Sequence, residues 1–229
     1  MIDMDKPVVI KITGKFFDNY NPELASRLVS IIRRIAGEYR IAIVTGGGNL
    51  ARLYINRAKN TGVTNNYSLD MIGIAVSRLN ALLIAEALYP LAPEKIPRTP
   101  WETRGLIAQH KVVVLGGYIP GQSTAAVAIE TAEAIGSDKV IDLSAIDKVY
   151  DKDPRKHPDA NPLSRVKASE LLNLMEQKIL PGNYQLLDRH AIDIMIRSKI
   201  TVYITHYSRP ENILDILSGG NPGTIITPE

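Results

Sequence analysis

Ile41-Ala42-Ile43-Val44-Thr45-Gly46-Gly47-Gly48 reads as a buried strand that breaks off in a glycine turn. Four apolar residues, three of them branched, run straight into three consecutive glycines, and a helix-compatible segment follows at Asn49-Leu50-Ala51-Arg52-Leu53-Tyr54. A buried strand that ends in glycines and turns into a helix forms an anion cradle. Glycines let backbone N–H groups approach an oxyanion without a Cβ in the way, and the helix N-terminus adds positive potential. Arg52, one turn into the helix, can add a bidentate fork to the same anion. The plain alternative is a tight turn with no ligand. Three glycines followed by an arginine favour a phosphate site.

Working outward, the same arrangement recurs. Pro7-Val8-Val9-Ile10-Lys11-Ile12 reads as a strand ending at Thr13-Gly14-Lys15. A strand covered on both faces should be nearly all apolar, so Lys11 is at an edge, reaching for water, or aimed at a buried anion. The adjoining glycine and second lysine favour the anion. Lys111-Val112-Val113-Val114-Leu115 ends in Gly116-Gly117, and Gln122, Ser123 and Thr124 then put donors at the start of a helix over 125–135. Val140-Ile141-Asp142-Leu143 and Thr201-Val202-Tyr203-Ile204-Thr205 read as further strands, with a short last one over 224–227. Helices are expected over 22–36, behind an Asn21 cap and a Pro22 start, and over 65–88, 169–178 and 185–199. Ser208-Arg209-Pro210-Glu211 reads as a capping box for a final helix, and the proline-rich, charged 151–165 segment as an exposed loop or hairpin. Alternating strands and helices predict an α/β fold built on a mostly parallel sheet.

The 65–88 helix is apolar nearly all round, interrupted by Asp70, Ser77, Arg78, Asn80 and Glu86. Those interruptions argue against a membrane span. A helix apolar on every side is buried on every side, and in 229 residues a second subunit is the expected cover, hence a homo-oligomer. There are no cysteines, which removes disulfides and thiolate zinc sites. Met1-Ile2-Asp3-Met4-Asp5-Lys6 lacks the apolar core of a signal peptide, so a soluble, cytoplasmic protein is expected. A net charge of +3 suits small anionic substrates; the basic residues are scattered, and one Trp and two Phe offer little stacking surface for nucleic acid. The four histidines, at 110, 157, 190 and 206, lack metal-ligand spacing.

In an open α/β sheet, ligands bind at the carboxyl ends of the strands. Three glycine turns on that rim suggest several phosphates in one crevice and so phosphoryl transfer, with Lys11, Lys15 and Arg52 as the cations. There is no G-x-x-x-x-G-K-[ST] and no G-x-S-x-G. Gly46-Gly47-Gly48-Asn49-Leu50-Ala51 does fit G-x-G-x-x-[GA], so an NAD(P)-dependent oxidoreductase is the rival from another class. The nearest acid, Asp70, falls inside a helical pattern instead of at a strand end, which ranks that rival lower. A nucleotide-binding sensor without turnover is a third reading.

Lys11 to Lys15, Val44 to Arg52, Asp70-Met71-Ile72-Gly73-Ile74, Gly116 to Thr124, Asp147 to Asp153 and Leu187-Asp188 together resemble the archaeal-type uridylate kinases of the amino-acid kinase superfamily. The similarity spans nearly the whole length. It implies a three-layer αβα fold with a mostly parallel central sheet, as one domain over 1–229 with an acceptor-binding region to about 137 and an ATP-binding region from about 138. It implies transfer of the γ-phosphoryl of ATP to UMP in pyrimidine nucleotide biosynthesis, with Mg²⁺ held mainly by nucleotide phosphates and no dedicated protein ligands, in a hexamer built from dimers. Carried over residue by residue, UMP would be held by Gly47, Asp70, Tyr118, Ile119, Pro120, Gly121, Gln122, Ser123 and Thr124, Asp70 through the ribose hydroxyls. ATP would be held by Thr13, Gly14, Lys15, Gly48, Arg52, Ser144, Tyr150 and Asp153. Lys11 and Arg52 would steady the charge in transit, and Asp188 would orient lysines. The family's run Thr-Asn-Val-Asp-Gly-Val-Tyr is replaced by Ser144-Ala145-Ile146-Asp147-Lys148-Val149-Tyr150, which keeps the hydroxyl, acid and tyrosine but loses the amide and glycine.

Overall fold

In the computed structural model, which describes residues 7–18, 20–152, 154, 157–176 and 187–229 (without the side chains of 174–176), the first strand, β1 (Val8–Ile12), is buried along its whole length. It is followed by α1 (Lys15–Asp18), α2 (Pro22–Ile35), β2 (Ile41–Thr45), α3 (Gly48–Asn60), α4 (Asn66–Ala87), α5 (Pro100–Ile107), β3 (Val112–Leu115) and α6 (Thr124–Ile135). The second half holds β4 (Lys139–Ser144), β5 (Val149–Tyr150), β6 (Pro162–Leu163), β7 (Arg165–Lys167), α7 (Ala168–Glu176), α8 (Arg189–Arg197), β8 (Thr201–His206), α9 (Asn212–Leu217) and β9 (Thr224–Thr227).

Seven strands form one sheet in the order β3-β2-β1-β4-β8-β9-β7, every neighbouring pair parallel except β8 with β9. Side-chain alternation sorts the core into two layers. Val8, Ile10, Ile12, Ile41 and Ile43 pack with Leu28, Ile32, Ile84 and Ile213 of α2, α4 and α9. Val9, Ala42 and Val44 face Ala128, Ile129, Ile192 and Met195 of α6 and α8. This is a three-layer αβα fold in which β3, β2, β1, β4 and β8 all end on the same rim, while β9 and β7 run the other way.

Several expectations need correction. β7 is a strand that the sequence pattern does not announce. β5 and β6 pair antiparallel, which agrees with the hairpin alternative expected for the 151–165 segment and needs no correction. The Ser208–Glu211 capping box does not form: Ser208 Oγ bonds His206 Nδ1 at 2.7 Å, and α9 begins without a side-chain cap. The helix expected from 185 starts at Arg189, because Asp188 has extended backbone and caps it. Asp153, Lys178, Pro181-Gly182 and Gln185 lie outside the described residues. By length and composition alone α4 is apolar enough to cross a membrane, against expectation, yet it packs on α3, β2 and β3 as a core helix.

Candidate active site

Two cavities of about 260 Å³ each open on the rim formed by the strand ends. One is lined by Gly47, Gly48, Arg52, Asp70, Gly117, Ile119, Gly121, Gln122 and Thr124, among others. The second is lined by Lys11, Thr13, Gly14, Lys15, Gly46, Gly47, Gly48, Arg52, Ser123, Thr124, Ala125 and Ala145. Gly47, Gly48, Arg52 and Thr124 belong to both, so the cavities meet at the start of α3.

Backbone contact builds that junction. A Cβ on Gly14 would lie 2.1 Å from the Gly48 amide nitrogen, and Gly48 itself has φ +64°. The turns after β1 and β2 therefore press backbone against backbone, which only glycine permits. The carboxylate of Asp18 accepts the Asn49 N–H at the start of α3, where an anion is favoured. Lys15 Nζ, 3.5 Å from Asp18, also reaches Asn49 Oδ1 at 3.4 Å, and Arg52 Nη1 donates to that same oxygen at 3.0 Å. Asn49 gathers two cations beside the junction.

Around the cavity that includes Asp70, the polar residues that interrupt α4 do the positioning. Asp70 Oδ2 accepts the Gly121 N–H at 2.9 Å and ties the Gly117–Thr124 turn to the helix. Ser77 Oγ accepts the Gly117 N–H at 2.8 Å, and Arg78 donates to the Gly117 and Tyr118 carbonyls at 3.1 and 3.0 Å. Asn80 Nδ2 donates to the Gly46 carbonyl at 2.8 Å. Burial lowers the pKa of Arg78, with the charge of Arg98 acting the same way. Gln122 donates through Nε2 to Glu130 at 2.9 Å, while its buried Oε1 has no partner among the described residues. That leaves an acceptor at the cavity wall.

The structure thus brings together Lys11, Thr13, Gly14, Lys15, Gly47, Gly48, Arg52, Asp70, Ile119, Gly121, Gln122, Ser123 and Thr124. The division of Gly47 and Gly48 between acceptor and donor is not seen, since each lines both cavities. Tyr118 departs from expectation. Its hydroxyl bonds Thr103 and Thr131 at 2.7 and 2.9 Å inside the α5–α6 layer, and burial raises its pKa to about 12. Only its carbonyl serves the site, through Arg78. Pro120, Ser144, Tyr150 and Asp188 line neither cavity. Ser144 is buried at the end of β4, and Asp188 Oδ1 caps α8 by accepting the Ala191 N–H at 2.8 Å. Burial raises the pKa of Tyr150, and the charge and hydrogen bond of Asp147 add to that.

Sequence reasoning misses Asp142. It sits opposite Lys11 in parallel register, and Lys11 Nζ lies 2.8 and 2.9 Å from its two carboxylate oxygens. Its one signal is an acid inside an apolar strand. Ser77, Arg78 and Asn80 show in the sequence only as interruptions.

A larger hollow of about 690 Å³ lies away from the glycine turns, between α4 and the 94–102 segment. Leu79 and Leu82 flank it, so it belongs to the uncovered face of α4 and not to the rim formed by the strand ends.

Known proteins resemble the chain in sequence and in fold. The chain is 53% identical to the uridylate kinase of Staphylothermus marinus over 98% of its own length and 100% of the relative's. It is 45% identical to the uridylate kinase of Sulfurisphaera tokodaii, covering 96% and 99%. The crystal structure of the uridylate kinase from Archaeoglobus fulgidus superposes with a TM-score of 0.86 at 34% identity, over 96% of this chain and 99% of that one. The model of the amino acid kinase family matches residues 6–206. That span runs from before β1 to the last residue of β8, so every turn that builds the two cavities falls inside it, and the chain belongs to the amino acid kinase family.

Proposed function

We infer that this protein is a uridylate kinase that transfers the γ-phosphoryl of ATP to UMP, giving UDP and ADP. The observation that carries the reading is the shared rim, Gly47, Gly48, Arg52 and Thr124, at which two anion-suited cavities meet. Phosphoryl transfer needs mainly in-line positioning and stabilisation of spread negative charge, and such a junction provides both. UMP takes the cavity bounded by Asp70 and the Gly117–Thr124 turn, with Asp70 facing the ribose and Gln122 Oε1 available to a base edge. The triphosphate takes the other cavity, where Thr13, Gly14, Lys15 and the amides of α3 receive it. Lys11 and Arg52 face the phosphoryl group in transit. The donor's nucleoside extends toward the 144–153 segment, so any contact with Ser144 and Tyr150 falls beyond the phosphate cavity.

Among the described residues no cluster of three metal-ligating side chains gathers, and the donor cavity presents cations and amides. This donor set fits Mg²⁺ carried chiefly by the triphosphate oxygens. When bound, the ion neutralises charge between the phosphates. We read the chain as one kinase unit, with residues 1–137 binding the acceptor and also receiving the donor's triphosphate, and residues 138–229 binding the rest of the donor, working in the cytoplasm in pyrimidine nucleotide biosynthesis as a hexamer built from dimers. Incubation with ATP, Mg²⁺ and each nucleoside monophosphate in turn tests the activity. UDP should form with UMP and little diphosphate with the purine monophosphates. No diphosphate product together with saturable NAD binding would overturn the reading.

A further inference from the structure

Lys11 and Asp142 stand side by side on β1 and β4, the ammonium within 2.9 Å of both carboxylate oxygens. Their side chains are 7% and 1% exposed. Lys11 lines the donor cavity, whereas Asp142 lies behind it and lines neither. A buried carboxylate costs free energy that a well-packed apolar residue would not, so the pair is no gain for stability by itself. A function for Asp142 must act through Lys11.

The surroundings supply that function. The other charged groups lining the donor cavity among the described residues are Lys15 of α1 and Arg52 of α3, both cationic. β2 presents Val44 opposite Lys11, and the start of α6 presents Ser123 and Thr124, all uncharged. Burial and two neighbouring cations both favour loss of the Lys11 proton. Asp142 opposes them in direct contact with the Lys11 ammonium, whereas the Asp18 carboxylate lies beside Lys15, and burial in turn pushes the Asp142 carboxyl up while Lys11 holds it down.

We propose that Asp142 is a positioning residue for phosphoryl transfer, holding Lys11 as an ammonium at the donor rim until a phosphate oxygen draws it forward. The proposal rests on the reading of Lys11 as the cation facing the transferred group. It predicts that the substrate-free enzyme keeps Lys11 charged well into the alkaline range, and that without Asp142 the charge is lost earlier.

The test is kcat/KM for ATP at saturating UMP, from about pH 6 to about pH 10, in the native protein and in Asp142→Asn, which preserves shape. The alkaline limb of the variant should move down by roughly 1–3 units, so that its deficit is small at the acid end and at least about tenfold at the alkaline end. A uniform deficit with an unmoved limb would mean a purely structural role and would overturn the proposal. Titration of the Lys11 ¹³Cε resonance in substrate-free protein gives a second readout that needs no turnover. Native Lys11 should stay protonated to about pH 10 or beyond and titrate earlier in the variant. Neutral-range titration in the native protein, or identical titration in both, would overturn the proposal, and the native arm decides even where the variant does not fold. Because the resonance is read without substrate, failure of the kinase reading leaves this result distinguishable.

Discussion

At the residue scale, Asp70 has two tasks that substitution can separate. One carboxylate oxygen holds the Gly121 N–H, and the residue also lines the acceptor cavity. Asp70→Asn keeps an oxygen for Gly121 but loses the charge offered to a ribose. A hydrogen bond to a charged group contributes about 1.5–3 kcal/mol, so KM for UMP should rise roughly 10- to 100-fold with KM for ATP little changed. Asp70→Ala should in addition loosen the 117–124 turn and lower kcat. Steady-state kinetics with each substrate varied in turn checks both, and equal losses for the two nucleotides in Asp70→Asn would contradict the ribose contact. Lys11 is legible because a lysine in an apolar strand breaks a rule. Its partner is not, because the two lie 131 residues apart and only strand register brings them together. Tyr118 misleads for a related reason: it is adjacent in sequence to the cavity-lining residues, but its ring turns into the α5–α6 layer.

At the element scale, α4 serves as a strut. Its Asp70, Ser77, Arg78 and Asn80 side chains hold the turns after β2 and β3, so the two acceptor walls are registered to one helix. In the sequence Ser77, Arg78 and Asn80 stand out only as breaks in an apolar pattern. The glycine turns depend equally on close approach. Gly14→Ala places a methyl 2.1 Å from the Gly48 nitrogen and 2.4 Å from its Cα, both backbone atoms that cannot rotate away. Overpacking of this kind commonly costs about 1–3 kcal/mol, which should appear as a lower urea midpoint with an unchanged slope. The same substitution should depress kcat strongly, since it parts the two cavities at their junction. A stable, active Gly14→Ala protein would show that the turns do not need to touch.

At the scale of the whole molecule, α4 is buried on one side only. Leu79 and Leu83 are 57% and 50% exposed, with Tyr67, Met71 and Leu82 beside them. An uncovered apolar face of this kind is what association between subunits buries. The proposed oligomer should therefore weaken in a Leu79→Glu, Leu83→Glu double variant: sedimentation should give a smaller species, while far-ultraviolet circular dichroism keeps the native spectrum. An unchanged sedimentation coefficient would place the interface elsewhere.

The parallel α/β class and most of the residues lining the two rim cavities are legible in the sequence, because strand burial, glycine turns and helix starts are local in their causes. Lys11, Arg52 and the glycine triplet can be read from a few neighbours. The tertiary structure alone decided what those residues face. The Lys11–Asp142 pair, the anchoring of both turns by α4, the inward direction of Tyr118 and the capping role of Asp188 depend on strand register and helix rotation. These are set by packing the whole core, and no local pattern carries them.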